Sequence, residues 1–212
     1  MSQENCIFCD KSQFEERLIG ETKGFWVIAT LGQIIQGGYV LLVSKRHVPC
    51  IGAMEEIEIE ELCQVKQRVY DRLGYLNEAS PLTIFEHGIV GQSINHAHLH
   101  IAPIESYFSD LITNRYSECT LTKLPVLQKS WQEIRKAYLH KRQPYLLWKD
   151  GSIGIKVLWN PKNVPSQYLR TLMFNSIGQP ELANWRKVNP ESDKNRWSET
   201  VRYLRKYFEQ KR

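Results

Sequence analysis

The sequence predicts an α+β fold: an antiparallel sheet with a flanking helix, followed by a mainly helical C-terminal extension that contains a β-hairpin. Short apolar runs surround one amphipathic helix in the first half of the 212 residues, and helical periodicity dominates the second half. A composition of 42% hydrophobic and 24% charged residues is typical of a globular protein. We therefore expect two domains, residues 1–115 and residues 116–212.

Four short apolar runs in the first half predict the strands of the sheet. They are residues 25–31, 38–43, 81–86 and 93–102. A helix is predicted between the second and third strands, over residues 54–74. Its apolar side chains recur at helical spacing, at Leu62, Val65, Val69 and Leu73.

The second half carries start and stop signals for helices and one hairpin. Ser130 and Glu133 form a capping-box pattern, which predicts the start of a helix. A β-hairpin is expected over residues 144–159, because an Asp-Gly turn divides two apolar runs. Another helix is expected between Pro165 and Gly178, and a last one near the C-terminus.

Charge and cysteine content indicate the compartment and the class of partner. No apolar run is long enough to cross a bilayer, no secretory signal is visible, and the five cysteines are an odd number. We therefore expect a cytoplasmic protein without a disulfide framework. Residues 120–212 hold 19 Lys and Arg against 7 Asp and Glu. This excess predicts either an anionic partner such as nucleic acid, or a basic surface that packs on the acidic first half.

Three of the six histidines lie at alternate positions of the fourth predicted strand. Side chains alternate between the two faces of a strand, so His96, His98 and His100 are expected on one face. Two chemistries fit such a row: a metal site, or a neutral imidazole that attacks phosphorus. The preceding segment favours phosphorus, because Gln92 and Ser93 end a glycine-bearing loop suited to an anion.

A single C-x-x-C motif, Cys6 and Cys9, stands near the N-terminus. Two thiolates supply only half of a tetrahedral zinc site, so two more ligands are needed elsewhere. The alternative is a pair of buried thiols without metal.

These motifs together resemble the histidine-triad (HIT) superfamily, in its zinc-bearing hydrolase-like branch. The similarity rests on G-Q-S-I-N-H-A-H-L-H-I-A, on C-I-F-C and on G-G-Y-V-L-L-V-S-K-R-H, and its order and spacing agree over residues 6–104. The resemblance implies a HIT-like sheet and covalent catalysis on a nucleotide. His98 would attack the α-phosphorus, and a backbone carbonyl would fix its tautomer. The implied substrate-binding residues are His100, Ser93 and Gln92.

The resemblance also completes the metal site. It implies a structural Zn²⁺ held by Cys6, Cys9, His47 and His96. Departures from the family pattern occur where Tyr39 replaces a histidine and where Thr30 and Leu31 replace a ribose-binding aspartate. Base and ribose recognition are therefore expected to differ from those of the family.

Several functional alternatives stay open at the level of sequence. The main expectation is hydrolysis of a phosphoanhydride, phosphoramidate or phosphoester through a nucleotidyl-histidine intermediate. The alternatives are processing of nucleotide groups on DNA or RNA ends, a nucleotidyltransferase or phosphorylase, and a non-catalytic nucleotide-binding protein. Arginines alternate with aromatic residues in the second half, as at Tyr168/Arg170 and Trp185/Arg186, which suits nucleic acid or simply a core with a solvated basic surface. A homodimer is also expected from the resemblance.

Overall fold

The computed structural model describes residues 6–74, 82–125, 129–151 and 154–209, and confirms the α+β class. The described strands are β1 (Leu18–Glu21), β2 (Phe25–Ala29), β3 (Val40–Ser44), β4 (Thr83–Gly88), β5 (His98–Ala102), β6 (Thr120–Leu124), β7 (Tyr145–Lys149) and β8 (Ile155–Trp159). The described helices are α1 (Glu56–Gly74), α2 (Ser109–Arg115), α3 (Lys129–Lys141), α4 (Tyr168–Ser176) and α5 (Pro190–Glu209). None of these helices is long and apolar enough to cross a lipid bilayer.

The eight strands form one sheet in the order β1-β2-β3-β5-β4-β7-β8-β6, and every neighbouring pair is antiparallel. The predicted hairpin, β7 and β8, extends this sheet from β4. Strands on both sides of residue 115 therefore share one set of backbone hydrogen bonds. The division into domains 1–115 and 116–212 stays a prediction.

Strand β5 is shorter than the sequence suggested. The predicted strand covered residues 93–102, whereas β5 begins at His98. The residues before it make other backbone hydrogen bonds. His96 N–H donates to the nearby Ile94 O at 2.9 Å, and Ala97 N–H donates to Val48 O, distant in sequence, at 2.7 Å. The expectation that all three histidines share one strand face is therefore wrong for His96, which precedes the strand.

Other boundaries differ by smaller amounts. Strand β2 ends at Ala29 rather than at residue 31, and soon afterwards Gly32 takes a φ of 62°. Ser130 lies inside α3 rather than at its cap, so the capping-box interpretation is wrong. Residue 81, the predicted start of β4, lies outside the described residues.

The two faces of the sheet bury different sets of side chains. On one face Leu99 and Ile101 of β5 pack in a core with the apolar stripe of α1, whose four predicted residues are all buried. On the other face Phe85 of β4 belongs to a core with Phe174 of α4. The alternation of β5 thus directs Leu99 and Ile101 into the α1 core and leaves the intervening histidines on the α4 side.

Candidate functional site

One cavity opens beside the histidines of β5, and both halves of the chain line it. Its polar lining comes from Arg17, Thr30, His87, Ser93, His98, His100, Gln167 and Arg170. Its apolar lining comes from Ile7, Phe8, Leu31, Leu41, Ile94 and Trp185, and Gly91 completes the wall. The predicted residues His98, His100 and Ser93 therefore meet at one place.

His98 has the geometry that a nucleophilic imidazole needs. Its Nδ1 lies 2.6 Å from the backbone oxygen of His96, and a carbonyl can only accept, so Nδ1 carries the proton. A neutral ring then has its free electron pair on Nε2. Burial lowers the pKa of His98 to about 4, which keeps the ring neutral near pH 7. A carbonyl partner for this histidine is the arrangement that the resemblance implies.

His100 is fixed by two aromatic neighbours. Phe85 stacks on its ring at 4.2 Å between centroids and 11° between planes, and the Tyr39 hydroxyl lies 2.6 Å from its Nδ1. Burial raises the pKa of Tyr39 to about 12, so the phenol keeps its proton. Burial, together with the positive charge of Arg170, holds the pKa of His100 well below its usual range. Tyr39 therefore helps to position His100.

His87 ends β4 beside the same cavity and is tied to the second half of the chain. The backbone N–H of Leu169 donates to its Nε2 at 3.0 Å, so its remaining ring proton lies on Nδ1. Burial lowers the pKa of His87 to about 3. The sequence allowed either a site role or a loop-capping role for this residue. In the structure it lines the cavity and also accepts from the first turn of α4.

A second cluster of side chains lies on the other side of His96. Cys6, Cys9, His47 and His96 place one ligand atom each within 4.8 Å of one another. Three sulfur–nitrogen distances are 3.3 Å (Cys6–His96), 3.3 Å (Cys9–His47) and 3.6 Å (Cys9–His96). Ideal Zn–S and Zn–N bonds at a tetrahedral centre separate S from N by about 3.6 Å. The four predicted ligands therefore fit a tetrahedral metal.

The ring of His96 is oriented for ligation. Its Nε2 donates to the backbone oxygen of Ser44 at 2.6 Å, which leaves Nδ1 unprotonated and directed at the two sulfurs. Metal-binding histidines usually donate their other N–H in this way. Ser44, where the family pattern has a proline, also places its Oγ 3.1 Å from the same nitrogen.

The remaining predicted residue, Gln92, has a different neighbour. Its Nε2 donates to Pro49 O at 2.8 Å, and Gln92 is not among the described residues that line the cavity. Its Oε1 is buried and has no hydrogen-bond partner among the residues that the structure describes. The substrate-binding roles of Gln92, Ser93 and His100 stay predictions.

Two buried arginines in the cavity wall were not among the predicted site residues. Arg17 follows no motif, so nothing in the sequence distinguishes it from a surface arginine. In the sequence, Arg170 and Trp185 were noted only as members of arginine–aromatic pairs. Their place in the cavity depends on the packing of α4 and the following segment over the sheet, which single-sequence patterns do not reveal.

A comparison with protein-family models identifies a domain in the first half of the chain. The model of the HIT domain matches residues 11–106. Residues 11–106 are a HIT domain. The Cys/His cluster agrees with the zinc-bearing branch of that family. The match supports, in general terms, the nucleotide chemistry that the resemblance implies.

Comparisons with curated proteins and with solved structures also find similar chains. A curated relative, zinc finger CCCH domain-containing protein 64 of Arabidopsis thaliana, is 22% identical over 201 residues, covering 89% of this chain and 33% of the relative. The chain thus spans about a third of the length of the curated relative it matches.

Two solved structures are similar to parts of the chain. A zinc-bound histidine triad family protein from Mycobacterium smegmatis is 19% identical, with 66% of this chain and 96% of that one covered and a TM-score of 0.40. A yeast Ap4A phosphorylase in complex with AMP is 14% identical, with 82% and 70% covered and a TM-score of 0.45.

Proposed function

We propose that the protein hydrolyses a nucleotide at its α-phosphorus through a covalent intermediate on His98. The hydrogen bond from His98 Nδ1 to His96 O carries this proposal, because it leaves Nε2 as an unprotonated nucleophile in the cavity. Because the hydrogen bond fixes the tautomer with the proton on Nδ1, no free energy is needed to select this tautomer during the reaction. The substrate class is a nucleotide phosphoanhydride, phosphoramidate or phosphoester.

The reaction has two displacements at phosphorus. The electron pair of His98 Nε2 forms a P–N bond, and the bond from phosphorus to the leaving group breaks with its electron pair on the leaving group. We assign Ser93, which lines the same cavity, to a hydrogen bond or a proton for that group. Water then attacks phosphorus, the P–N bond breaks with its electron pair on Nε2, and His98 is restored as the neutral ring. The proton released by the water restores Ser93 if Ser93 gave up its own proton, and otherwise passes to the leaving group or to bulk solvent.

His100 is assigned to the phosphate oxygens. When the Tyr39 hydroxyl donates to its Nδ1, the proton of the neutral ring lies on Nε2 and can be donated to an anionic oxygen. Gln92 is assigned to holding the loop that contains Ser93, through its bond to Pro49. The hydrogen bonds of the two side chains support these assignments.

We assign the Cys/His cluster to a structural Zn²⁺. Cys6, Cys9, His47 and His96 provide two sulfur and two nitrogen ligands, a closed set that leaves no position for substrate. The metal, when bound, supplies a cross-link between the N-terminal turn and the residue before β5. His96 then positions His98 through its backbone oxygen.

A turnover screen tests the proposal. Wild type and His98→Ala are compared on dinucleoside polyphosphates, nucleoside phosphoramidates and adenylylated DNA ends, with His140→Ala, an exposed histidine of α3, as the matched control. We expect wild type and the control to turn over at least one substrate and His98→Ala to lose at least about a thousandfold. Acid-quenched wild type should carry a nucleotidyl group on His98. Undiminished activity of His98→Ala would refute the mechanism.

The same screen distinguishes the remaining reaction classes. Release of product that depends on added phosphate would indicate a phosphorylase, and binding without turnover would indicate a nucleotide-binding protein. Preference for adenylylated DNA ends, with affinity that falls steeply with salt, would indicate nucleic-acid processing. Nucleic-acid binding, a homodimer and a cytoplasmic location stay predictions.

A further inference from the structure

The cavity beside His98 contains more positive charge than the histidine chemistry uses. Arg17 and Arg170 both line it, and both are buried, with exposed fractions of 9% and 2%. Among the described residues neither guanidinium has a carboxylate oxygen within 4.0 Å. The carboxylate that acts on both of them, Asp193, is itself bonded to the backbone N–H groups of Gly32 and Gln33.

Arg17 has most of its donors free. It is the last residue of a short 3₁₀ turn (Glu15–Arg17), and its Nη1 donates to Ala29 O at 2.9 Å. A guanidinium has five N–H donors, and within the described part of the chain this is the hydrogen bond that Arg17 makes to protein. Burial lowers its pKa to about 10, which still leaves it charged at neutral pH. A buried charge with unused donors is costly unless an anion completes it.

Arg170 has the opposite character: it is locked in place. Its Nε donates to Ala183 O at 2.6 Å, and its Nη2 donates to Gly32 O at 2.6 Å. Its Nη1 makes one long bond, 3.3 Å, to Thr30 Oγ1. Carbonyl oxygens orient a guanidinium without cancelling its charge. Arg170 therefore presents a fixed positive charge to the cavity, beside Thr30 and Leu31.

The cavity thus offers donors and positive charge beyond those of the histidines. His98 and His100 are assigned to the reacting phosphorus. The free donors of the Arg17 fork suit a further phosphate, and Arg170, whose Nε and Nη2 already donate to backbone carbonyls, adds a fixed positive charge in the same cavity. We propose that Arg17 and Arg170 form a second phosphate subsite, and that the substrate is a nucleotide with at least two phosphate groups, one at His98 and one at the arginines. The two-phosphate requirement deepens the proposed function and rests on it; the subsite itself can be tested without turnover.

Equilibrium binding tests the subsite. ADP, AMP, pyrophosphate and inorganic phosphate are titrated into His98→Asn protein, in which no nucleotidyl-histidine can form. We expect ADP to bind at least about tenfold more tightly than AMP, and pyrophosphate more tightly than phosphate, since one charge-assisted hydrogen bond is sufficient for that ratio.

Arginine variants of the same background identify the groups responsible. Arg17→Gln should bring the ADP-to-AMP ratio close to one while the affinity for AMP changes little, and Arg17→Lys should restore part of the ratio. Arg202→Gln removes an exposed arginine of α5 and is the matched control, with an expected ratio equal to that of the background. Arg170→Lys is added as a second variant, with circular dichroism to confirm folding, because Arg170 also holds backbone carbonyls.

The outcomes separate the two proposals. The subsite proposal is overturned if ADP binds no more tightly than AMP and pyrophosphate binds no more tightly than phosphate. It is also overturned if Arg17→Gln lowers the affinities for AMP and ADP by the same factor. Failure to bind any of the four probes would overturn it as well. An intact ADP preference that depends on Arg17, in a protein whose wild type turns over no nucleotide, would support the subsite and refute the hydrolytic function.

Discussion

The backbone N–H of Leu169 donates to Nε2 of His87 at 3.0 Å, across 82 residues of sequence. This bond joins the first turn of α4 to the end of β4, inside the wall of the cavity that contains His98. A second link lies nearby, where Gln167 N–H donates to Gly91 O at 2.7 Å. Residues beyond the HIT match therefore shape the site from within.

Removal of the metal is expected to lower the stability of the protein without directly stopping catalysis, because the proposed zinc is structural. Cys9→Ser should lose zinc, because it removes a sulfur whose neighbours His47 and His96 lie at 3.3 and 3.6 Å. Metal content by mass spectrometry and the melting temperature check this. Cys119→Ser, at a half-buried thiol outside the cluster, should keep both. Immediate loss of turnover on chelation, without loss of folding, would instead indicate a catalytic metal.

Tyr39→Phe is expected to impair the reaction with little change in the core. The variant keeps the ring and removes the hydroxyl that lies 2.6 Å from His100 Nδ1. We expect kcat/KM to fall about tenfold and the unfolding free energy to drop by about 1–2 kcal/mol. Tyr116→Phe is the matched control, since the Tyr116 hydroxyl is buried and no hydrogen-bond partner for it occurs in the described part of the chain. Equal kinetics for the two variants would remove Tyr39 from the site.

Glu86 should make stability fall as pH rises. It is fully buried on β4, accepts from Ile51 N–H at 2.7 Å and from the Tyr145 hydroxyl at 2.6 Å, and burial raises its pKa from 4.5 to about 7. The unfolded chain ionises first, so this contribution is complete below pH 4.5 and is lost by about pH 7. The neighbouring Cys50 thiol, with its pKa raised by burial to about 12, and Tyr145, raised well above 10, keep their protons throughout.

Urea unfolding from pH 4.5 to 8 checks this prediction. The buried histidines act in the opposite direction, because their lowered pKa values add stability as pH rises, so the informative quantity is a difference between variants. The stability advantage of wild type over Glu86→Gln should shrink as pH rises from 4.5 to 7. Glu118→Gln, at an exposed carboxylate, should show a constant difference. A constant difference for Glu86→Gln would contradict the prediction.

Gly32→Ala should destabilise the loop that Arg170 holds. Gly32 has a φ of 62°, and a Cβ there would clash with Arg170 Nη2 and lie 2.8 Å from Leu182 O. Gly178→Ala is a close control, with a φ of 71° and nothing within 4 Å of its Cβ. Both variants pay about 1–2 kcal/mol for a left-handed residue. The unfolding free energy should fall further for Gly32→Ala than for Gly178→Ala. The preference for ADP over AMP should fall in Gly32→Ala and stay unchanged in Gly178→Ala.

The sequence anticipated the parts of the site that depend on local spacing. The H-x-H-x-H row, the C-x-x-C pair and His47 stand in recognisable order, and the structure brings each group of them together. The row was misjudged in one respect, since backbone bonds to Val48 and Ile94 delay the start of β5 to His98. Arg17 and Gln167 were not anticipated, because their positions depend on long-range packing of a loop and a helix. Their side chains carry no motif that local spacing could detect.

Because β5 starts late, His96 takes part in two separate sites. Its imidazole belongs to the Cys/His cluster, and its carbonyl oxygen accepts a hydrogen bond from His98 Nδ1 at 2.6 Å. If the cluster binds zinc as proposed, metal binding and the orientation of His98 are coupled through a single peptide unit. Such coupling is reciprocal for binding free energies, so a nucleotide analogue that binds the ordered form of His98 should also raise the affinity of the cluster for zinc.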